Sequence, residues 1–123
     1  MVSCPRPITA ELAKYAEASD FDALPRHVQD ESKRAFVNWI GCALGGCHEA
    51  VALRCSEAIQ SSSGPGQSSL IGRGFRADMA SAAFVNCIAS SALAYDDTHL
   101  ATVTHPTGPV ASSLYAYAEG APV

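Results

Sequence analysis

Apolar residues recur along most of the chain at the three- and four-residue spacing of an amphipathic helix. The clearest run follows Pro25, which suits the first turn of a helix because its missing N–H needs no partner there. One stripe of that predicted helix carries Val28, Ser32, Ala35, Phe36, Trp39, Ile40 and Ala43. The pattern as a whole predicts five helices, over residues 9–20, 25–44, 49–61, 78–95 and 109–119.

The segments between these helices are short and rich in turn residues. Gly45 and Gly46 are expected to end the second helix, since glycine commonly follows a helix. Residues 61–66 form a loop by their serine, glycine and proline content. Residues 68–72 predict a short extended segment, and residues 96–106 a loop that holds two of the four histidines.

The fifth predicted helix presents an apolar face, Val110, Leu114 and Tyr115, that no later element covers. The sequence therefore predicts an all-α helical bundle fragment, the N-terminal part of a larger helical protein. Further candidate core positions on the first and third helices are Leu12, Tyr15, Ala16, Ala52, Leu53 and Ile59.

Composition narrows the function classes. With 123 residues, 48% of them apolar, and a net charge of −4, the chain is one domain or part of one and not a disordered segment. Eight Lys and Arg against 12 Asp and Glu give no basic field for nucleic acid. The 22 alanines suit closely packed helices.

Cysteine usage and the absence of targeting signals predict a cytoplasmic protein. The five cysteines are odd in number and include no C-x-x-C pair, so free thiols are expected rather than a disulfide framework or a zinc site. The first residues contain no apolar signal-peptide core. The longest uncharged helical run, residues 79–95, is too short and polar to cross a membrane.

Gly72, Gly74 and Ala77 match the dinucleotide-binding spacing G-x-G-x-x-A. We reject this interpretation because the preceding extended segment is too short and polar for a central parallel strand, and no strand follows the helix. The two glycines are instead expected to form a turn into the fourth helix. Arg73 and Arg76 remain candidates for pairing with a substrate carboxylate.

The segment from Asp96 to His105 carries the most informative chemistry. Asp96 and Asp97 repel each other at the negative end of the fourth helix, which a fold tolerates when the carboxylates have a use or strong hydrogen-bond partners. A carboxylate can orient an imidazole such as His99 or His105 and raise its basicity. Thr98 adds a hydroxyl for a substrate carboxylate. The alternative is a polar loop with capping aspartates and solvated histidines; a metal site is disfavoured because one loop fixes few ligands.

Three segments resemble the MmgE/PrpD family, which includes 2-methylcitrate dehydratase, cis-aconitate decarboxylase and iminodisuccinate epimerase. The first is Ala83-Phe-Val-Asn86 and the second Ala92-Leu-Ala-Tyr-Asp96-Asp97-Thr98-His99, followed by His105-Pro106-Thr107. The family pattern there is close to A-F-x-N-G, A-L-D-F-D-D-T-H and H-P-S. Residues 35–46 and 69–74 also resemble family segments, so the likeness covers roughly residues 9–119.

The resemblance implies that residues 1–123 are part of the family's N-terminal helical domain, without its remaining helices and its lid domain. It implies a homodimer that binds a small di- or tricarboxylate and needs neither metal nor cofactor, with no nucleic-acid or membrane partner. His105, Asp96 and Asp97 match positions that the family places at or near its site. Thr98 does so as well, and we assign it, with Arg73 and Arg76, to substrate binding.

The implied reaction is proton transfer at a carbon next to a carboxylate, with loss of water, as in 2-methylcitrate dehydratase. A decarboxylase, an epimerase or a non-catalytic helical interaction module derived from the family are alternatives. Ala94 stands where the family often has an aspartate, so the chain lacks a carboxylate at that position. Cys87 stands where glycine is common. By itself, this chain is expected to be incomplete and inactive.

Overall fold

Five α-helices make up most of residues 7–121, which are the residues that the computed structural model describes. The all-α class is confirmed, and the predicted helix boundaries differ from the observed ones by at most four residues. A 3₁₀ turn at Phe21–Ala23 lies between the first two helices. The helices are α1 Ile8–Ala18, α2 Arg26–Gly46, α3 Ala50–Gln60, α4 Met79–Ser91 and α5 Thr107–Gly120.

Contacts divide the chain into two units at Ser32 and Lys33, within α2. In the first unit, α1 buries no residue. The prediction that Leu12 and Tyr15 are core residues is therefore wrong, because both side chains are exposed. The same holds for Ala16, Val28 and Ser32. A unit this small has too few apolar side chains to enclose a core of its own.

The second unit is built on α4 and α5, which run antiparallel. Gly108 near the start of α5 faces Ser90 and Ser91 at the end of α4, and Gly120 at the other end of α5 faces Met79. The facing side chains are small, so the two helices pack closely. Those buried on the two helices are Ala82, Val85, Asn86, Ala89, Ser90, Gly108, Ala111, Ser112 and Ala116.

The C-terminal half of α2 supplies the largest buried side chain, Trp39. Its indole N–H donates to the Ser112 hydroxyl over 3.0 Å, and its ring lies against Phe36 and Tyr115. Of the predicted stripe, Trp39 and Ala43 are buried, whereas Phe36 remains 41% exposed. Ala35 and Ile40 are half-buried.

α2 ends at Gly46, the second residue of the predicted Gly45-Gly46 stop and two residues beyond the predicted Leu44. Gly46 is buried, and a Cβ there would lie 2.1 Å from the Ala89 carbonyl oxygen. The residue therefore also allows a close approach of α2 to α4.

A two-stranded antiparallel hairpin precedes α4, with β1 at Ser68–Ser69 and β2 at Arg76–Ala77. The predicted turn into the helix is thus a turn between two strands, and Gly72 and Gly74 adopt the positive φ that it requires. The antiparallel pairing differs from the parallel strands of a dinucleotide-binding unit. Asp78 then caps α4 by accepting the Ser81 N–H.

Buried Asn86 joins the hairpin to α4. Its amide oxygen accepts the Ile71 N–H over 2.9 Å, and its amide nitrogen donates to the Ser69 carbonyl over 3.0 Å. This pair of bonds satisfies backbone groups that the short strands leave unpaired. Asn86 belongs to one of the motifs noted in the sequence, and in the structure it hydrogen-bonds the backbone of the hairpin.

Four of the predicted free thiols are found: Cys42, Cys47, Cys55 and Cys87 form no disulfide. Cys4 lies outside the described residues. Among residues 7–121, no helix combines the length and apolar character that crossing a bilayer requires.

Candidate active site

The site begins where α4 ends, at Ser91 rather than at Tyr95 as predicted. The Ala92 and Ala94 N–H groups donate to the carbonyls of Ala89 and Ser91, which lie three residues earlier, as in a 3₁₀ turn. Ala94 itself adopts a φ of 56°. This left-handed residue reverses the chain direction in the way that usually ends a helix. The early end frees the aspartates from the helix and lets them fold back over its last turn.

Asp96 folds back onto α4 and lies beside His105. The Ser91 hydroxyl donates to Asp96 Oδ2 over 2.8 Å, and the same oxygen lies 3.3 Å from His105 Nδ1. The Asp96 side chain is only 4% exposed, whereas that of His105 is 48% exposed. A buried carboxylate thus faces one nitrogen of an imidazole that remains open to solvent.

Thr98 approaches the same imidazole nitrogen from the other side. Its hydroxyl lies 3.5 Å from His105 Nδ1, at the long limit of a hydrogen bond. No described residue hydrogen-bonds the other ring nitrogen, Nε2. With the Nδ1 proton directed at Asp96, Nε2 carries the lone pair and can accept a proton.

Asp97 has a different set of partners. It accepts the Thr107 backbone N–H over 3.2 Å through one oxygen and the Thr107 hydroxyl over 2.7 Å through the other. The residue before the helix, Pro106, makes no side-chain cap, so Asp97 caps α5 from a distance in sequence. This capping explains why α5 starts at Thr107, two residues before the predicted position. Asp97 therefore binds the first residue of the helix that follows His105, and no hydrogen bond or ion pair joins it to the His105 ring.

His99 lies in a small turn that returns the chain to His105. Its backbone N–H donates to the Thr104 carbonyl over 2.8 Å, and Val103 adopts φ 52° within the turn. The His99 ring pairs with the Thr102 hydroxyl over 2.8 Å. The two histidines of this loop thus differ: His99 binds its own turn, and His105 meets Asp96.

Two thiols are influenced by the charge of Asp96. Burial, together with the charges of Asp96 and Asp97, raises the pKa of Cys42. Burial and the Asp96 charge raise the pKa of Cys87. Both thiols therefore stay protonated near neutral pH. Asn38 links α2 to this loop, because its amide nitrogen donates to the Tyr95 carbonyl over 3.3 Å.

Cys87 also lines an open groove of about 400 Å³ between α4 and α5. The groove is mainly apolar, and Phe84 on its wall is 52% exposed. Its lining residues are Ala80, Ala83, Phe84, Cys87, Pro109 and Ser113.

The structure does not bring Arg76 to this site. Its guanidinium donates to the Gly66 and Gln67 carbonyls and lies 3.8 Å from the Glu119 carboxylate. Glu119 is near the end of α5 and Thr107 at its start, so about 18 Å of helix separate the two places. Arg73 lies on the hairpin turn and contacts His48.

No cluster of three or more His, Cys, Asp or Glu side chains within residues 7–121 is arranged to hold a metal ion. The described chemistry is therefore that of one buried carboxylate, one imidazole with an open nitrogen, and one hydroxyl. Such a set can move a proton to or from a bound molecule.

A family model described as the MmgE/PrpD N-terminal domain matches residues 10–123. The chain belongs to the MmgE/PrpD family. No curated protein matches it.

Family membership agrees with the sequence motifs that surround this site. Asp96, Thr98 and His105, which the MmgE/PrpD-like motif contains, come together in the structure. Ala94, where the family motif often has aspartate, adopts a backbone conformation that aspartate tolerates better than alanine. The sequence signal could not have indicated Ser91 or Cys42, because their relevance depends on how α2 and α4 meet the loop.

Proposed function

We propose that the chain supplies the acid–base part of a lyase that acts on small di- or tricarboxylates by proton transfer next to a carboxylate and loss of water. One observation carries this proposal. The buried Asp96 carboxylate lies 3.3 Å from Nδ1 of His105, whose Nε2 is open, within a MmgE/PrpD N-terminal domain.

His105 is the proposed base. With its Nδ1 proton directed at Asp96, the ring presents the Nε2 lone pair to a substrate C–H. The C–H bond breaks, its electron pair moves into the adjacent carboxylate as an enediolate, and Nε2 takes the proton. The negative charge of Asp96 stabilises the imidazolium that results. The electron pair then forms the double bond as the hydroxyl leaves. The proton held on Nε2 passes to that hydroxyl, which departs as water and leaves His105 neutral again.

Thr98 is a proposed donor to a substrate carboxylate, because its hydroxyl lies on the same side of the loop as the His105 ring. The enediolate charge needs further stabilisation, since a carbon next to a carboxylate is a weak acid. The sequence names Arg73 as a candidate for this task, but its guanidinium lies beside His48 and contacts neither Asp96 nor His105. Arg76 is a weaker one because its guanidinium is occupied by Gly66, Gln67 and Glu119.

We propose a cytoplasmic homodimer as the working form. Free thiols fit a reducing compartment. The outer face of α5 leaves Val110 58% and Leu114 61% exposed, and such a surface fits a second protein surface. The measurement is the molar mass in solution by light scattering, and a monomer at micromolar concentration would contradict the dimer.

The reaction is tested in the product of the complete reading frame that encodes these residues. It is incubated separately with 2-methylcitrate, citrate, cis-aconitate and iminodisuccinate, and the products are identified by NMR. We expect a new double bond from a hydroxy tricarboxylate. Loss of carbon dioxide from cis-aconitate or inversion of iminodisuccinate would replace dehydration by one of the alternative reactions.

A non-catalytic helical module is the second candidate. Two observations favour it: the exposed apolar side chains of α4 and α5, and alanine at position 94. The same incubation separates the candidates, because a module turns over none of the four acids. Absence of turnover in all four would reject the lyase.

A further inference from the structure

Two basic side chains meet at the hairpin turn, away from the Asp96–His105 pair. Arg73 lies on the turn, and one terminal nitrogen of its guanidinium is 3.4 Å from Nδ1 of His48. His48 lies between α2 and α3. Among the described residues, neither side chain forms an ion pair with a carboxylate. In a chain of net charge −4, the Arg73 guanidinium thus carries a positive charge that forms no ion pair with a described carboxylate.

The backbone holds Arg73 in place. Gly72 has a positive φ, and a Cβ on it would lie 2.5 Å from the Cys47 sulfur, so the turn is pressed against the residue next to His48. The Arg73 N–H donates to the Leu70 carbonyl over 3.0 Å, which closes the turn. The contact between the two basic side chains therefore rests on a fixed turn and not on two free side chains.

Arg73 also carries an unpaired buried donor. Its Nε is shielded from solvent and has no hydrogen-bond partner, and no other buried side-chain nitrogen or oxygen of residues 7–121 shares this condition. An unpaired donor on a buried part of a cation is costly. Because the guanidinium charge is delocalised, an anion on the outer nitrogens compensates part of that cost.

We propose that Arg73 and His48 together bind one oxyanion group, a carboxylate or a phosphate, of a small anionic ligand. Arg73 offers its terminal N–H groups as a planar fork that matches such a group. When Nδ1 of His48 accepts from Arg73, the proton of the neutral ring is on Nε2, which donates to the same anion.

The site is separate from the proposed reaction at His105, since neither Arg73 nor His48 contacts Asp96 or His105. Binding is measured by calorimetry and by histidine NMR shifts on the full chain, with inorganic phosphate and citrate as separate probes. The two probes distinguish the sources: phosphate binding alone indicates a phosphate group, and citrate binding alone a carboxylate. Binding of either probe with a shift of the His48 signals is the expected result.

Three variants make the measurement specific. We expect Arg73→Gln to weaken binding at least tenfold and His48→Gln at least threefold. Arg54→Gln removes the same charge from an exposed side chain on α3 and should change the binding affinity less than twofold. Arg73→Lys keeps the charge but loses the planar fork, so it should bind more weakly than the wild type while remaining folded. Circular dichroism of each variant checks the fold.

Several outcomes overturn the proposal: no binding of either probe, unchanged binding in both Arg73→Gln and His48→Gln, or an equal loss in Arg54→Gln. His105→Gln provides the last arm. If it abolishes citrate binding while the Arg73 and His48 variants bind normally, citrate occupies the proposed reaction site and not this one. That result would overturn the inference and leave the proposed function intact.

Discussion

The two ends of α5 each hold a carboxylate beside a basic group, and they differ in how completely those groups are paired. At the C-terminal end, Glu119 accepts the Ser69 N–H over 2.5 Å and the Ser69 hydroxyl over 2.9 Å, with Arg76 at 3.8 Å. At the N-terminal end, Asp96 lies 3.3 Å from His105. Both carboxylate oxygens of Glu119 accept hydrogen bonds from the hairpin. In the Asp96–His105 pair, only Nδ1 of the imidazole faces the carboxylate, and Nε2 remains open.

This difference separates an arrangement that holds the fold from one that is available for chemistry. Partial burial raises the pKa of Glu119, but the two Ser69 hydrogen bonds and the Arg76 charge outweigh it, so the net pKa lies below the ordinary value. Ser69 and Arg76 thus occupy the Glu119 carboxylate. His105 differs because Nε2 of its half-exposed ring has no hydrogen-bond partner among residues 7–121, which leaves it available to a substrate.

The largest effect is expected from His105→Ala. In the product of the complete reading frame, it should lower kcat at least about 100-fold, because the proposed base is lost. His99→Ala is the matched control: it removes an exposed histidine from the same loop, and kcat should stay within about threefold. Steady-state kinetics on both variants measure this. Activity of His105→Ala within twofold of the wild type would remove His105 from the mechanism.

Glu119→Ala tests the opposite end. It leaves the half-buried Ser69 N–H without its acceptor, so unfolding in urea should require about 1–3 kcal/mol less free energy. Exposed Glu57→Ala on α3 should change it by under about 0.5 kcal/mol. An equal loss in both variants would show that Glu119 contributes no more than a surface charge.

The same end should show acid sensitivity. Because the pKa of Glu119 is lowered in the folded state, its ionised form stabilises the fold above the unfolded-state pKa of about 4.3, and this contribution is lost as the pH falls below it. The difference in unfolding free energy between wild type and Glu119→Gln should therefore shrink between about pH 5 and pH 3. A constant difference across that range would contradict the assignment.

Asp97→Ala addresses the N-terminal end. Loss of the acceptor for Thr107 should lower the free energy of unfolding by about 1 kcal/mol, as for other helix caps. Asp97→Asn, which keeps an acceptor oxygen, should recover most of it. If Asp97→Asn is as unstable as Asp97→Ala, the negative charge rather than the capping bond is the important feature. Chemical denaturation of the full chain measures both.

The smallest effect is expected at Ala94. Relief of its left-handed conformation in Ala94→Gly is worth about 1 kcal/mol, and the greater freedom of glycine in the unfolded chain offsets roughly half of that. A net stabilisation of about 0.5 kcal/mol should appear as a small rise in Tm. Ala92→Gly, at a neighbouring position without positive φ, should destabilise instead. A Tm that falls in Ala94→Gly would show that the observed backbone carries no strain.

The helical pattern predicted five helices because apolar spacing is a local property of the chain, and it placed their boundaries within four residues. It did not show that Gly46, where α2 ends, also lets α2 approach α4 closely. It was wrong about Leu12 and Tyr15, since an apolar stripe shows that a helix has a face to cover but not what covers it.

For the candidate site, the motif placed Asp96, Asp97, Thr98 and His105 in one loop and the family model confirmed the family. The sequence could not predict that the two aspartates bind different partners. They are neighbours with the same side chain, and only the turn at Ala94 and the start of α5 direct one to His105 and the other to Thr107.

The sequence by itself determined the all-α class, the family and the loop that carries the chemistry, because these depend on local spacing and on residue identity. The tertiary structure decided which groups are buried, paired or open. Asp96 is 4% exposed only because α4 ends early and the loop folds back over Ser91. Arg76 is held by Glu119 only because the hairpin packs beside the end of α5. Burial and pairing depend on contacts between residues far apart in the chain, and no local pattern encodes them.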